Sequence, residues 1–278
     1  MHEISKILAV VDPTAETQPA MHRSAWLAQH TGAELELLIC YYNAYLSGDP
    51  LFESPSLNKA RGAVISDEEQ QLEELAEPFR KQGIVVRTTA LWDHPLYKGI
   101  VRDAVKSGAD IVFKDTHHHS AVSRSLLPNT DWNLIRTCPA PLWLVKPQDI
   151  GTEPTIIAAI DPLHEHDEQA ALNDEVLHIS KLLSQKTGGV VHEFHAVDDH
   201  GIEHEKELMA FVSQVDAGVV IMGAVASNRW KRLFIGAAAE RTLEHLPCDL
   251  LILKPDWFET PVSRINPDAA RPITTTTR

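Results

Sequence analysis

The sequence predicts an α/β protein made of two tandem, doubly wound parallel-sheet domains. Three observations predict this fold class. Apolar runs are typical of strands buried on both faces, helical patterns lie between them, and a series of landmarks occurs twice in the same order. The 278 residues suit two domains of ordinary size, and a hydrophobic fraction of 44% gives each half a core.

Four landmarks define the duplication. They are an apolar run that ends in Asp-Pro, a Thr-Gly pair before the second strand, an apolar strand after an Ala, and a last strand that ends in Lys-Pro. They occur at Asp12, Thr31, Ala109 and Lys146 in the first half, and at Asp161, Thr187, Ala217 and Lys254 in the second. We therefore expect domains over residues 1–149 and 150–260. A flexible tail is expected over residues 261–278, whose last ten or so residues offer little to bury.

The first half predicts five strands that alternate with four helices. Helical patterns cover residues 20–30, 67–80 and 96–107, and a strand at residues 85–91 separates the last two. The segment at residues 41–52 is rich in aromatic and apolar side chains, so it either covers the sheet or lines a pocket.

The second half is shorter, and the shortening can be located. Asp12 and Lys146 are 134 positions apart, whereas Asp161 and Lys254 are 93 apart, so 41 positions are missing. The loss falls after Val197, where a helix at residues 203–215 follows almost directly. The second domain is therefore expected to lack its third strand, which lies at the sheet edge, and the preceding helix. Without the third strand, the second strand of this domain lies at the sheet edge. Its polar residues His192, Glu193 and His195 would help to protect that edge from pairing with another chain.

Composition excludes several function classes. A net charge of −14 argues against a nucleic-acid partner, which needs a basic face, and the apolar runs are too short for membrane insertion. The first residues show no signal peptide, and three scattered cysteines form neither a disulfide framework nor a zinc motif, so we expect a cytoplasmic protein. We also find no sequence motif of a hydrolase, a metalloprotease or a P-loop enzyme, which favours a protein without catalysis.

The order of motifs resembles the universal stress protein family. An Asp closes the first strand, a Gly closes the fourth, and Glu240, Arg241, Leu243, His245 and Cys248 form a Glu-Arg-x-Leu-x-His-x-x-Cys pattern before the last strand. The tandem arrangement, with a more divergent first half, resembles the E-type members. The resemblance implies flavodoxin- or Rossmann-like sheets of strand order 3-2-1-4-5 and a stress-response role through ligand sensing and protein partners. It also implies a pseudo-dimer of the halves through their fifth strands, and it leaves a homodimer open.

The resemblance also implies a nucleotide site in the second half. ATP-binding members carry Gly-x2-Gly-x9-Gly followed by Ser or Thr, a loop whose backbone N–H groups cradle phosphates. Gly223 and Gly236 match this pattern, whereas Ala226 and Ala237 replace the second glycine and the hydroxyl. The other residues expected to bind ATP or AMP are Asp161, Arg229, Lys231 and Arg232. The alternative function is an ATP-binding switch or slow ATPase.

The first half lacks the nucleotide pattern and offers a different candidate. Asp115, His118 and Pro128 stand at the matching positions, and a carboxylate there would repel a phosphate. His117 and His119 project to one side of an extended segment and could be two ligands of a zinc site, with His94 or Asp115 as a third, or they are solvated loop residues. The first domain is thus the basis of a further alternative, a carrier of a metal or an apolar ligand.

Overall fold

The structure, a computed structural model, describes residues 3–47, 54–116, 128–160, 168–195, 202–224, 226–227, 232–233 and 246–265. Within these ranges the strands are β1 (Lys6–Val10), β2 (Glu34–Tyr41), β3 (Val86–Trp92), β4 (Ile111–Asp115), β5 (Leu142–Val145), β6 (Thr155–Ile160), β7 (Val190–His195), β8 (Val219–Gly223), β9 (Ala226–Ser227), β10 (Arg232–Leu233) and β11 (Asp249–Leu253). The helices are α1 (Pro19–Thr31), α2 (Ala44–Ser47), α3 (Pro55–Lys81), α4 (Leu96–Ser107), α5 (Pro128–Thr137), α6 (Glu168–Thr187) and α7 (Ile202–Gln214). None of the helices in this part of the chain is both long and apolar enough to cross a membrane.

Nine strands form one continuous sheet in the order β3-β2-β1-β4-β5-β11-β8-β6-β7. Within each half the strands of this sheet pair in parallel. Described helices connect the successive strands of each half up to β5 and β8, whereas most of the chain between β8 and β11 lies outside the described residues. The first half has the strand order 3-2-1-4-5, and the second half repeats this order without its third strand. The predicted fold class is confirmed.

The two halves meet where β5 and β11 pair antiparallel. The paired residues are Leu142 with Ile252, Trp143 with Leu251 and Leu144 with Leu250. These are the corresponding strands of the two repeats, so a pseudo-two-fold axis relates the halves. The predicted contact between the fifth strands is confirmed, and it makes one sheet of two domains.

The shortening of the second half falls where the sequence placed it. β7 ends at His195 and α7 begins at Ile202, so residues 196–201 alone separate them. This stretch is too short for a helix and a strand. Among the described residues β7 is consequently the last strand on its side of the sheet.

Helices cover both faces of the sheet. α1, α3 and α6 pack on one face over a core that includes Leu27, Leu72 and Ile179, whereas α4, α5 and α7 pack on the other over Ile100 and Leu134. In the central strands, successive residues alternate between these two cores, which explains why those strand sequences are almost continuously apolar.

α3 is longer than the sequence pattern indicated. The 3,4 spacing of apolar residues begins near Asp67, but the helix starts at Pro55, a residue suited to a first helical turn. The additional turns carry few buried side chains, so no apolar stripe marked them. Arg61 in these turns donates hydrogen bonds to the carbonyl oxygens of Leu46 and Ser47 and thereby holds α2 against α3.

The chain after β11 returns to the first half. Residues 255–265 lie along α4 and α5, where Val262 is buried. Thr260 Oγ1 donates to the carbonyl oxygen of Thr137 at 2.7 Å, and Arg102 Nε donates to that of Ser263 at 2.9 Å. The sequence-based division counted residues 261–265 with the tail. The predicted flexibility of the last ten or so residues falls outside the described ranges.

Candidate functional site

The carboxyl ends of β1 and β4 form the crevice at which open α/β sheets place ligands. Asp12 follows β1, and its Oδ1 accepts hydrogen bonds from the N–H and the hydroxyl of Thr14 at 2.8 and 2.6 Å. Asp115 is the last residue of β4 and is only 3% exposed. The first-half crevice is therefore acidic.

Asp115 occupies the amino end of α1. Its Oδ1 accepts a hydrogen bond from the backbone N–H of Ala20 at 2.6 Å, which supplies one of the partners that the first turn of a helix lacks. Its Oδ2 is buried and has no hydrogen-bond partner within the described residues. Burial is the largest cause that raises the pKa of Asp115 to about 7, and the nearby Asp12 and Asp249 raise it further, while the Ala20 N–H and Lys114 oppose the shift.

This arrangement places the Asp115 carboxyl group against the first turn of α1, at the end of β4. A phosphate bound to that turn would have to displace the carboxyl group. The first-half crevice is therefore already occupied by a side chain at this point.

The second half ends its equivalent strand with a glycine that is tightly packed. A Cβ on Gly223 would lie 2.4 Å from Leu172 Cδ2 and 2.6 Å from its Cγ, so a larger residue here would force the Leu172 side chain of α6 to move. Ala226 and Arg232, two further predicted binding residues, lie in the β9–β10 ribbon, where Ser227 pairs with Arg232 and Ala226 with Leu233. The remaining predicted residues, Asp161, Arg229, Lys231, Gly236 and Ala237, lie outside the described residues.

The family of the chain follows from its match to a family model. The model described as the universal stress protein family matches residues 3–146. The chain belongs to this family.

Several relatives match nearly the whole of this universal stress protein. Universal stress protein E of Escherichia coli K12 is 25% identical, and the alignment covers 92% of this chain and 96% of the relative. A universal stress protein E homologue of Haemophilus influenzae is 20% identical, with 91% and 98% covered. The resemblance to the tandem, E-type members is confirmed.

Solved structures support the same fold. A protein of unknown function from Pseudomonas aeruginosa PAO1 has a TM-score of 0.72 at 22% identity, over 91% of this chain and 93% of that one. A universal stress protein from Archaeoglobus fulgidus has a TM-score of 0.67 at 15% identity, over 91% and 97%. At these identities the likeness establishes the fold alone.

A buried polar network connects the two halves of this universal stress protein. Asp249 in β11 is completely buried, and it accepts hydrogen bonds from Arg23 Nη1 at 2.7 Å, Trp143 Nε1 at 2.8 Å and the Lys146 N–H at 2.8 Å. Arg23 Nη2 also donates to the carbonyl oxygen of Gln148 at 2.7 Å. Burial raises the pKa of Asp249 to about 6, although Arg23 opposes the shift. This network could not be predicted from the sequence, because its members come from distant segments of both repeats.

A surface cleft lies next to this network. It has a volume of about 580 Å³, within the usual range of small-molecule sites, and residues of α1, α3 and the segment between the domains line it. Trp26, Leu75 and Ile150 give it apolar walls, and His22 and Arg23 add polar groups. The cleft could not be predicted from the sequence, since its walls combine separate segments.

Aromatic side chains gather at the carboxyl ends of β2 and β3. Tyr42 stacks on His94 with ring centroids 4.0 Å apart, Trp92 lies 5.6 Å from Tyr42, and the Arg61 guanidinium lies 5.5 Å from the Trp92 ring. Tyr42 belongs to the aromatic segment that the sequence singled out, and it packs over the sheet end, whereas Tyr45 is 94% exposed.

The predicted metal-binding histidines lie outside the described residues, whereas the three cysteines lie within them. His117 and His119 lie outside the described residues, and the part of the chain that the structure describes holds no group of three His, Cys, Asp or Glu suited to a metal ion. All three cysteines are buried and free, and burial raises the pKa of the Cys138 thiol to about 11 and that of Cys248 to about 12. These thiols are therefore structural groups.

Proposed function

We propose that this protein is a cytoplasmic stress-response protein that binds a small ligand without catalysis and acts through protein partners. Membership of the universal stress protein family supports the stress-response role. The observation that supports the ligand proposal is the hydrogen bond from Ala20 to Asp115, because a side-chain carboxyl group then occupies the first-half position that corresponds to Gly223. We therefore propose that a nucleotide, ATP or AMP, binds in the second half.

The proposed nucleotide site comprises Asp161, Gly223, Ala226, Arg229, Lys231, Arg232, Gly236 and Ala237. Two features support this site. A glycine ends β8, and basic residues that would attract phosphates follow it in the sequence. The packing of Gly223 against Leu172 explains that glycine independently, so substitutions at Gly223 would confuse folding with binding. Residues later in the loop provide a cleaner test.

Equilibrium titration of the full chain with labelled ATP and AMP tests the proposal. Ala226→Gly together with Ala237→Ser should strengthen binding about fivefold or more, because one added hydrogen bond contributes about 1 kcal/mol. Ala238→Ser places the same hydroxyl one position away and should change little. Gly236→Asp should abolish binding while circular dichroism stays unchanged.

Two results would contradict this assignment. One is a nucleotide affinity that is unchanged by the double substitution Ala226→Gly with Ala237→Ser. The other is nucleotide binding that is lost when Asp115 is substituted. The alternative function is an ATP-dependent switch or slow ATPase. A Kd for ATP weaker than millimolar would exclude this alternative, whereas release of phosphate from bound ATP would favour it.

A second candidate function is the carriage of an apolar ligand by the first domain. The cleft beside α1 favours it, since its volume and its Trp26, Leu75 and Ile150 walls suit a small apolar molecule. Native mass spectrometry after gentle purification should then show a retained mass. Leu75→Trp should fill the cleft and lower the occupancy, whereas Ile265→Trp at a site 72% exposed should not. Equal occupancy in both variants would remove this candidate.

The zinc alternative on His117 and His119 remains a prediction. The same mass spectra, recorded with added zinc, should show one bound ion that His117→Ala with His119→Ala removes. Zinc binding that persists in this double variant would place the ion elsewhere.

A further inference from the structure

The outer edge of β7 presents backbone groups that no described strand pairs with. The N–H of Val190 donates to the carbonyl oxygen of Pro154 at 3.2 Å, so Val190 directs its backbone groups toward β6. Successive residues of a strand direct these groups to opposite sides. The N–H and C=O groups of Val191, Glu193 and His195 therefore point away from the sheet.

At the opposite edge of the sheet, formed by β3, a side chain covers an outward backbone group. On β3, the Arg80 guanidinium donates to the carbonyl oxygen of Val86 from Nε at 3.2 Å and from Nη2 at 3.1 Å. This side chain covers an outward carbonyl and hinders pairing with another strand. Among the described residues no side chain is hydrogen-bonded to the outward groups of β7, and Val190 is 58% exposed.

Symmetry limits how two copies of β7 could pair. An antiparallel pair of identical edge strands is related by a two-fold axis perpendicular to the sheet, which leaves each residue on its own face. Residues that oppose each other must share a face. The axis must therefore pass through a residue position. The positions that place Glu193 opposite another residue of the described strand are His192, Glu193 and Phe194.

Charge selects among these three registers. An axis at Glu193 places the two Glu193 carboxylates opposite each other, which is unfavourable, and an axis at His192 opposes Glu193 to Val191. An axis at Phe194 opposes Glu193 of each copy to His195 of the other, twice. Within one chain the same two side chains already lie 3.6 Å apart, and each is about half exposed.

We propose that β7 is a self-association edge, at which a second copy of this chain pairs antiparallel about Phe194, with Glu193 opposite the partner's His195. The outward backbone groups of Glu193 and His195 bond to those of the partner, and the two Phe194 rings face each other in the close, non-hydrogen-bonded position. Phe194 already packs 5.7 Å from Phe211 of α7, so its ring is held on that face.

Sedimentation of the full chain over a range of concentrations tests the interface. We expect a monomer–dimer equilibrium at about pH 5.5, at which a histidine side chain ordinarily carries a charge. Under this condition Glu193→Lys should weaken the dimer by about tenfold, because both ion pairs become repulsive. Glu193→His with His195→Glu exchanges the two charges and should restore the dimer. Glu69→Lys makes the same charge change on the exposed surface of α3 and should have no effect. A chain that stays monomeric at every concentration overturns the proposal.

Cysteine cross-linking tests the register. The native cysteines are buried, so Glu193→Cys and His195→Cys each introduce an accessible thiol. In the proposed register the Cα atoms of residues 193 and 195 lie about 5.5 Å apart across the interface, within disulfide range, whereas the two residues 193 are more than about 8 Å apart. A mixture of the two variants should form a disulfide-linked heterodimer under mild oxidation. Cross-linking of Glu193→Cys with itself, or none in the mixture, overturns the register.

Discussion

At the scale of single residues, Asp115 makes stability depend on pH. Burial raises its pKa from 3.8 to about 7, so between about pH 4 and pH 7 the folded state holds a proton that the unfolded chain has lost. The contribution of Asp115 to stability therefore falls as pH rises through this window. Asp115→Asn keeps an acceptor for the Ala20 N–H and removes the charge. It should raise the free energy of unfolding at pH 8 by on the order of 2–4 kcal/mol, and by little near pH 4.

Urea unfolding at the two pH values measures this difference. Asp67→Asn is the matched control, because Asp67 is exposed on α3, and its effect should be small at both pH values. A stabilisation by Asp115→Asn that is the same at pH 4 and pH 8 would contradict a buried ionisation. The repeat alignment located Asp115 at the end of β4, but its contact with Ala20 could not be predicted, since the two residues are 95 positions apart.

At the scale of elements, the returning segment after β11 should stabilise the first half. Its described part buries Val262 and contributes hydrogen bonds to Thr137 and Arg102. A chain that ends after Asp256 should lose about 2–4 kcal/mol in urea unfolding, from one buried apolar side chain and these hydrogen bonds. A chain that ends after Ile265 should keep the stability of the full protein. Equal stability of the two truncated chains would show that the segment is not docked in solution.

The elements also show what periodicity can and cannot predict. α4 begins and ends at the predicted residues, because its apolar face is buried along its whole length. The first turns of α3 carry no such face, and the prediction there began twelve residues late. β9 and β10 are two residues each, too short for any periodic signal, so the ribbon that holds Ala226 and Arg232 was not predicted.

At the scale of the whole molecule, the duplication predicted how the halves join but not what stabilises the junction. The matching Lys-Pro ends of the last strands pointed to the pairing of β5 with β11. The Arg23–Asp249 pair breaks this symmetry, because Asp249 corresponds to Pro141 and Arg23 to Ile179 in the other repeat. A comparison of the two repeats identifies only the residues that both repeats have. It therefore cannot identify the Arg23–Asp249 ion pair, whose members have apolar counterparts in the other repeat.

Loss of this ion pair should therefore weaken the junction, in addition to the pairing of β5 with β11. Arg23→Met leaves the buried Asp249 carboxylate without its cation and should cost about 3–5 kcal/mol in urea unfolding at pH 8. In the Asp249→Asn background the same change should cost about 1 kcal/mol, because no buried charge remains.

The free-energy cost of Arg23→Met should also be smaller at pH 5. The pKa of Asp249 is about 6 in the intact protein, and it rises when Arg23 is lost, so the carboxyl group takes up a proton. The exposed pair of Lys81 with Glu77 is the control, and Lys81→Met should cost no more than about 1 kcal/mol. Additive effects of Arg23→Met and Asp249→Asn would mean that the two side chains do not stabilise the junction as a pair.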